Sequence, residues 1–325
     1  MPEQLHSPDK RKILLTGASG FVGQAIYQSL VNRSERVTCP TRRPISKLNA
    51  EVSNPHISDL SAQTDWSAFL TDVDIVIHCA ARVHVMQETV TDPLPLFRQV
   101  NVDATMRLAE QAAQAGATQF IFISSVKVNG EATTPGHAYT ETSPSEAQDP
   151  YGISKREAEN ALLAFGERSG LRVTIIRPPL IYGPGVKANF ASMLNWVNKG
   201  IPLPFASIKN KRSFVYLENL VSLVLCCLRN QNAAQHVFLV SDDHDLSTAE
   251  LLQLCARALH VPSRLLPFPP ALLILLAKLA GRPAISDRLC GSLQVDISKA
   301  KQVLGWVPPY SVEQGLAATM LAKNP

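Results

Sequence analysis

The chain has 325 residues, 46% of them hydrophobic and 18% charged, with 16 Gly and 23 Pro. That composition excludes a disordered chain, a collagen-like repeat and a coiled coil, and it leaves room for about two domains. Lys and Arg outnumber Asp and Glu by 31 to 27, a net charge of +4 that gives no nucleic-acid footprint yet suits an anionic small molecule.

Lys12 to Thr16 (KILLT) reads as a short apolar strand, and Phe21 to Asn32 follows at helical spacing. Between them lies Thr16-Gly17-Ala18-Ser19-Gly20-Phe21-Val22-Gly23. Gly17, Gly20 and Gly23 supply a tight turn, a close approach of backbone N–H groups to a pyrophosphate, and close helix–strand packing. The helix that opens at Phe21 and Val22 then points its free N–H groups at the phosphates. Strand, turn and helix in this order make it a dinucleotide-binding fingerprint.

Arg36 to Cys39 is the second strand. It runs on into Thr41, Arg42 and Arg43, where an NAD-specific site would place an acid for the ribose 2′-hydroxyl. Two guanidinium groups there suit a 2′-phosphate, so NADP(H) is favoured over NAD(H); the alternative is a solvated basic loop. Asp74 to Ala80 (DIVIHCA) is a buried strand, Leu94 to Ala115 a long Ala-rich helix stopped by Gly116, and Gln119 to Ser124 a further strand. Tyr151 to Glu167 is helical and Arg172 to Arg177 is strand. The alternation predicts a Rossmann-type, doubly wound parallel sheet over residues 1–178. Beyond Pro178 prolines punctuate shorter segments, and residues 179–325 read as a smaller C-terminal α/β portion that binds substrate, with the chain free to cross between the two.

Tyr151 and Lys155 stand four apart at the start of a helix, which puts both side chains on one face. An ammonium beside a phenol favours the phenolate and makes a usable acid/base. Ser124 and Ser125 end the preceding strand, the edge at which such sheets present ligand-contacting groups.

Together TGASGFVG, Asp59-Leu60, His78-Cys79-Ala80-Ala81, Asn101, Ser124-Ser125 and YGISK resemble the extended short-chain dehydrogenases/reductases, in order and spacing. The resemblance continues through RPPLIYGP (177–184), RSFVY (212–216) and LGW (304–306), and so covers nearly the whole chain. Within that superfamily the chain is similar to the NAD-dependent epimerase/dehydratase group, which acts on nucleotide sugars. The resemblance implies that Tyr151 is the acid/base, that Lys155 holds the nicotinamide ribose and tunes Tyr151, and that Ser125 hydrogen-bonds the reacting sugar oxygen. It further implies cofactor contacts from Asp59 and Leu60 at the adenine, Ala80 and Ala81 along the ribose–phosphate run, Ser124, and Pro178 and Pro179 against the nicotinamide. Asn101 is expected to order the sheet and cofactor site, or else to pack a helix. Asn189, Arg212 and Arg288 are expected to grip the substrate, the arginines neutralising a diphosphate.

Asn129, in SVKVNG, replaces a Tyr common among relatives, and Leu180 replaces an Asn found in galactose epimerases. Both positions border the sugar pocket in the family. SSVKVNGE with IYGPG resembles bacterial enzymes that reduce a UDP-4-keto-6-deoxy-N-acetylhexosamine to UDP-N-acetylquinovosamine or fucosamine for surface polysaccharide. A UDP-glucose or UDP-N-acetylglucosamine 4-epimerase is the alternative, and a non-catalytic NAD(P)-binding regulator is the reading from a different class. The resemblance also implies a homodimer.

The remaining features carry less. Cys39, Cys79, Cys226, Cys227, Cys255 and Cys290 form no C-x-x-C pair and read as reduced core thiols of a cytoplasmic protein, with no metal site. Met1 to Arg11 lacks the apolar stretch of a signal peptide. Asp242-Asp243-His244-Asp245 reads as a polar turn ahead of a helix whose capping box is Ser247 and Glu250. His78 reads as a core histidine. Pro269 to Ala280 (PPALLILLAKLA) is too short to span a bilayer and is expected to be a buried or partner-facing helix, with membrane contact as the alternative.

Overall fold

The strands of the first half are runs of Ile, Val, Leu and Phe without polar alternation, the pattern of a sheet covered on both faces. The computed structural model describes residues 11–42, 55–57, 59–83, 92–134, 136–186, 188–281 and 283–321; Arg43 and the Asn189 side chain lie outside the described residues. In chain order the first elements are β1 (Lys12–Thr16), α1 (Phe21–Asn32), β2 (Arg36–Thr38), α2 (Ser67–Leu70), β3 (Ile75–His78), α3 (Leu94–Arg98), α4 (Ala104–Gln114), β4 (Gln119–Ile123), α5 (Pro150–Ser169) and β5 (Arg172–Arg177). There follow β6 (Leu180–Tyr182), α6 (Ala188–Asn198), β7 (Phe214–Tyr216), α7 (Leu217–Arg229), β8 (His236–Leu239), α8 (Thr248–Ala258), α9 (Pro270–Leu279), α10 (Pro283–Cys290), α11 (Ser298–Leu304) and α12 (Val312–Leu321).

Six strands form one sheet in the order β2-β1-β3-β4-β5-β8, and the pairings of β1 with β2 and β3, of β3 with β4, and of β4 with β5 are all parallel. The order runs outward from β1 in both directions, which is the doubly wound arrangement the alternation predicts. β6 and β7 pair separately, also in parallel.

The chain forms two units: residues 1–124, 148–176 and 230–237, and residues 125–147, 177–229 and 238–325. The first has a core of Leu14, Trp66, Val76, Leu108, Phe120, Phe122, Leu162 and Val173 between sheet and helices. The second packs Tyr182, Phe190, Phe214, Tyr216, Leu252 and Leu316 around its own centre. There Asp242 accepts hydrogen bonds from the Tyr182 hydroxyl, the Tyr216 N–H and the Asn219 side chain, all at 2.7 Å. The DDHD sequence thus opens on a buried structural acid, and Ser247 and Glu250 form the capping box of α8.

Two expectations change. The helix read as continuous from Leu94 to Ala115 is broken by a π-helical turn at Gln99–Asp103. Its wider winding turns Asn101 inward, 1% exposed. α9, expected to be buried or partner-facing, has no buried residue. Among the described residues no helix is long and apolar enough to cross a membrane. Cys39, Cys227 and Cys255 are buried as expected of core thiols, but Cys79, Cys226 and Cys290 are half-buried.

Candidate active site

The turn after β1 is shaped by glycine. Gly17 has φ +74°, and a Cβ there would stand 2.7 Å from the Ala80 nitrogen and 2.8 Å from the Cys79 carbonyl carbon. A Cβ on Gly23 would run into the Gly17 carbonyl oxygen. Gly20 caps α1 without any side-chain hydrogen bond, and no acid stands in the helix's first turn. A helix N-terminus left open in this way, behind a turn with no room for a Cβ at Gly17 or Gly23, fits the pyrophosphate of a dinucleotide.

Below the turn the chain builds a polar strap. Thr16 Oγ1 lies 2.6 Å from His78 Nδ1 and accepts from the Ala80 N–H at 3.3 Å, while His78 Nε2 meets Thr105 Oγ1 at 3.0 Å. Burial, aided by the charge of Lys155, pushes His78 down to about 3, so it is a neutral core histidine that ties β1, β3 and α4 together. Asn101 accepts from the Arg82 N–H (2.8 Å) and donates to the Arg82 carbonyl (3.0 Å) and to Ser154 Oγ (2.9 Å). Ser154 Oγ in turn donates to the Tyr151 carbonyl at 2.8 Å. Asn101 therefore fixes the segment after Ala80 and Ala81, both half-buried, against the start of α5.

α5 begins where Asp149 accepts from the N–H groups of Tyr151 and Gly152 (3.2 and 3.3 Å) with Pro150 at its first position. Half-buried Tyr151 packs edge-on against Phe97, centroids 6.4 Å apart. One turn on, Lys155 is 1% exposed. Its Nζ donates to the Ile123 carbonyl at 2.8 Å and stands 4.2 Å from the Phe122 ring centroid and 5.9 Å from that of Tyr151. Burial lowers the Lys155 ammonium to about 8, with Cys79 and Glu159 acting in the opposite direction. Glu159, also 1% exposed, accepts a short hydrogen bond from Ser124 Oγ. The first unit thus brings Tyr151, Lys155, Ser124 and Asn101 together with the glycine turn. Asp59 is exposed and Leu60 half-buried. Arg42 is exposed just beyond β2.

The chain enters the second unit at Ser125, half-buried, whose hydroxyl caps a short turn by accepting from the Lys127 N–H at 3.2 Å. Asn129 is fully buried, donating to the Thr140 carbonyl (3.1 Å) and accepting from Arg177 (3.1 Å), so its amide holds the 129–140 loop in place. Pro178 and Pro179 are buried, and the Pro178 carbonyl accepts from the Val126 N–H. Arg212 donates to the Gly291 carbonyl at 3.0 Å. Burial and the nearby positive charge of Arg288 both lower its pKa, opposed by Glu131. Arg288 itself is exposed on α10. A positive charge at Arg288 close enough to disfavour that of Arg212 makes the pair a place for an anion.

The profile of the NAD dependent epimerase/dehydratase family matches residues 13–241, well over half the chain. The chain belongs to that family. It is 46% identical over 314 residues to the UDP-glucose 4-epimerase of Vibrio cholerae, covering 96% of this chain and 95% of that one. It is 28% identical to the N-acetyl-α-D-glucosaminyl-diphospho-ditrans,octacis-undecaprenol 4-epimerase of Escherichia coli O157:H7, over 95% and 94% of the two chains. Among solved structures, the UDP-glucose 4-epimerase of Thermotoga maritima with UDP-glucose superposes with a TM-score of 0.76 at 22% identity, covering 96% of this chain and 98% of that one. At that identity the likeness shows the fold.

As a member of the epimerase/dehydratase family the chain is an enzyme of the extended short-chain dehydrogenase/reductase fold, and NAD(P) binding accords with the glycine turn. Three residues of the site escaped sequence reading. Thr16 and Thr105 position His78, and Glu159 engages Ser124. Only Glu159 left a signal: it follows Lys155 by four residues and so shares its helix face.

Proposed function

We propose that this enzyme is a UDP-sugar 4-epimerase. The observation that carries the reading is the 46% identity to a UDP-glucose 4-epimerase across 95% or more of both chains. Bound NAD supplies a hydride acceptor that returns the hydride within one turnover. Tyr151, as phenolate, takes the proton of the C4 hydroxyl and gives it back. Buried Lys155 lowers the phenol's pKa by its positive charge, and Ser125 is assigned the hydrogen bond to the C4 oxygen. The glycine turn holds the pyrophosphate of the cofactor, with Asp59, Leu60, Ala80, Ala81 and the two prolines as its further assigned contacts. Arg212 and Arg288 are assigned the diphosphate of the substrate.

A second reading rests on Arg42, exposed beyond β2 where a 2′-phosphate would sit. It favours NADPH and net reduction of a UDP-4-keto-6-deoxy-N-acetylhexosamine. The experiment is to denature the purified protein, identify any released cofactor, and follow UDP-glucose and UDP-N-acetylglucosamine by NMR without added reductant. The epimerase reading expects bound NAD and conversion to the galacto isomer with no net redox change. Failure of both conversions, alongside stoichiometric NADPH oxidation by the 4-keto sugar, would replace it with the reductase.

A pH effect follows from Lys155. Its ammonium is present below about 8 and is lost as the pH rises through that value. The plot of log kcat/KM against pH is therefore expected to fall on its alkaline side near there. A profile flat well beyond it would show that Lys155 does not act through its charge.

A further inference from the structure

Among the described residues α9 is an apolar helix with no buried residue. Leu272, Leu275, Leu276 and Leu279 follow one another at spacings of three and four and so form one stripe, from 40% to 76% exposed. The other side of the helix rests on α10. Leu266, 53% exposed, leads into the stripe. The Arg264–Leu266 segment is joined through backbone hydrogen bonds at Leu203 and Ala206 to the chain after α6, where Ile201 is 42% exposed. An apolar surface of this extent is not a scatter of single residues.

The charges of these segments are mostly positive. From Lys187 to Leu217 and from Leu251 to Ser286 the chain carries nine Lys and Arg and no Asp or Glu, and Asp287 on α10 follows the second stretch. Lys278 lies on α9 itself, and Arg264 and Lys199 are exposed on the segments joined at Leu203 and Leu266. A second copy meeting this face by a twofold axis would bring those cations against their own equivalents with Asp287 as the one acid of the adjoining helix. Anionic headgroups around buried leucines satisfy both the charge and the apolar stripe. Ten residues are too few to span a bilayer.

We propose that α9 and the adjoining Leu266 and Ile201 form a docking surface for an anionic lipid bilayer, on which the second unit rests with its leucine stripe at the headgroup–acyl boundary. The inference does not depend on which sugar reaction the enzyme performs.

The test is co-sedimentation of the full chain with phosphatidylglycerol-rich vesicles and with pure phosphatidylcholine vesicles. The wild type is expected to pellet with the anionic vesicles, several-fold less with the neutral ones, and less again as salt is raised. Leu275→Ser with Leu276→Ser is expected to weaken anionic binding by about tenfold or more. Lys278→Glu should weaken it while leaving the stripe intact. Because these side chains are half or more exposed, thermal unfolding of the variants should match the wild type, which separates loss of docking from loss of fold. Absence of wild-type binding to anionic vesicles would overturn the proposal. So would a serine variant that pellets like the wild type while dissociating a wild-type dimer, since α9 would then be covered by a second copy.

Discussion

Tyr151→Phe is expected to lower kcat by about 10²- to 10⁴-fold, the usual contribution of a positioned acid/base, while leaving cofactor content and thermal stability close to wild type. Backbone and ring contacts hold this residue. Asp149 holds the backbone N–H of Tyr151, Asn101 reaches its carbonyl through Ser154, and Phe97 packs against the ring edge. Phenylalanine keeps all of these contacts. What it removes is the hydroxyl assigned the proton transfer, while the Lys155 ammonium stays on the Ile123 carbonyl and Glu159 stays with Ser124. Rapid-quench or NMR measurement of sugar conversion, with the dinucleotide content of each preparation, checks it. A variant that retained wild-type turnover would remove Tyr151 from the chemistry, whereas a wild-type protein that held its dinucleotide and converted no sugar would return the regulator reading.

Much of the first unit was legible because its punctuation is local. β1, α1 and β5 fall on the residues that hydrophobic runs and polar or glycine boundaries mark out, Lys12–Thr16, Phe21–Asn32 and Arg172–Arg177. The π-helical turn at Gln99–Asp103 was invisible to the same reasoning, since no glycine or proline in that stretch marks a break in the helix. The pairing of Ser124 with Glu159 and the enclosure of His78 between Thr16 and Thr105 join residues 27 to 62 positions apart in sequence, so only the fold reveals them. Asn129 is a different case: its position points to the sugar pocket, and the fold adds that both ends of its amide are engaged by Thr140 and Arg177. α9 is a third case. Composition says that leucines should be buried, but it cannot say by what, and burial against lipid has the same sequence signature as burial against protein.

Gly17→Ala is expected to cost both stability and dinucleotide binding. The backbone at Gly17 has φ +74°, where an L side chain costs about 1–2 kcal/mol. Its Cβ would also stand 2.7 Å from the Ala80 nitrogen and 2.8 Å from the Cys79 carbonyl carbon, and these are backbone atoms that no rotamer change can move aside. β1 and β3 would have to separate, and Ala80 would have to leave the Thr16 hydroxyl. Overpacking of this kind adds about 1–3 kcal/mol, for a total loss of about 2–5 kcal/mol in chemical denaturation. Gly116→Ala isolates the two contributions: Gly116 also has positive φ (+92°), but nothing lies within 4 Å of its Cβ position. That variant should lose only the backbone part, about 1–2 kcal/mol, and keep its dinucleotide. Gly17→Ala should in addition purify without dinucleotide, because its methyl and the displaced strand occupy the approach to the open end of α1. If the Gly17 variant retained stoichiometric cofactor despite its lowered stability, the pyrophosphate would have to bind elsewhere, and the assignment of the glycine turn would fail while the fold stood.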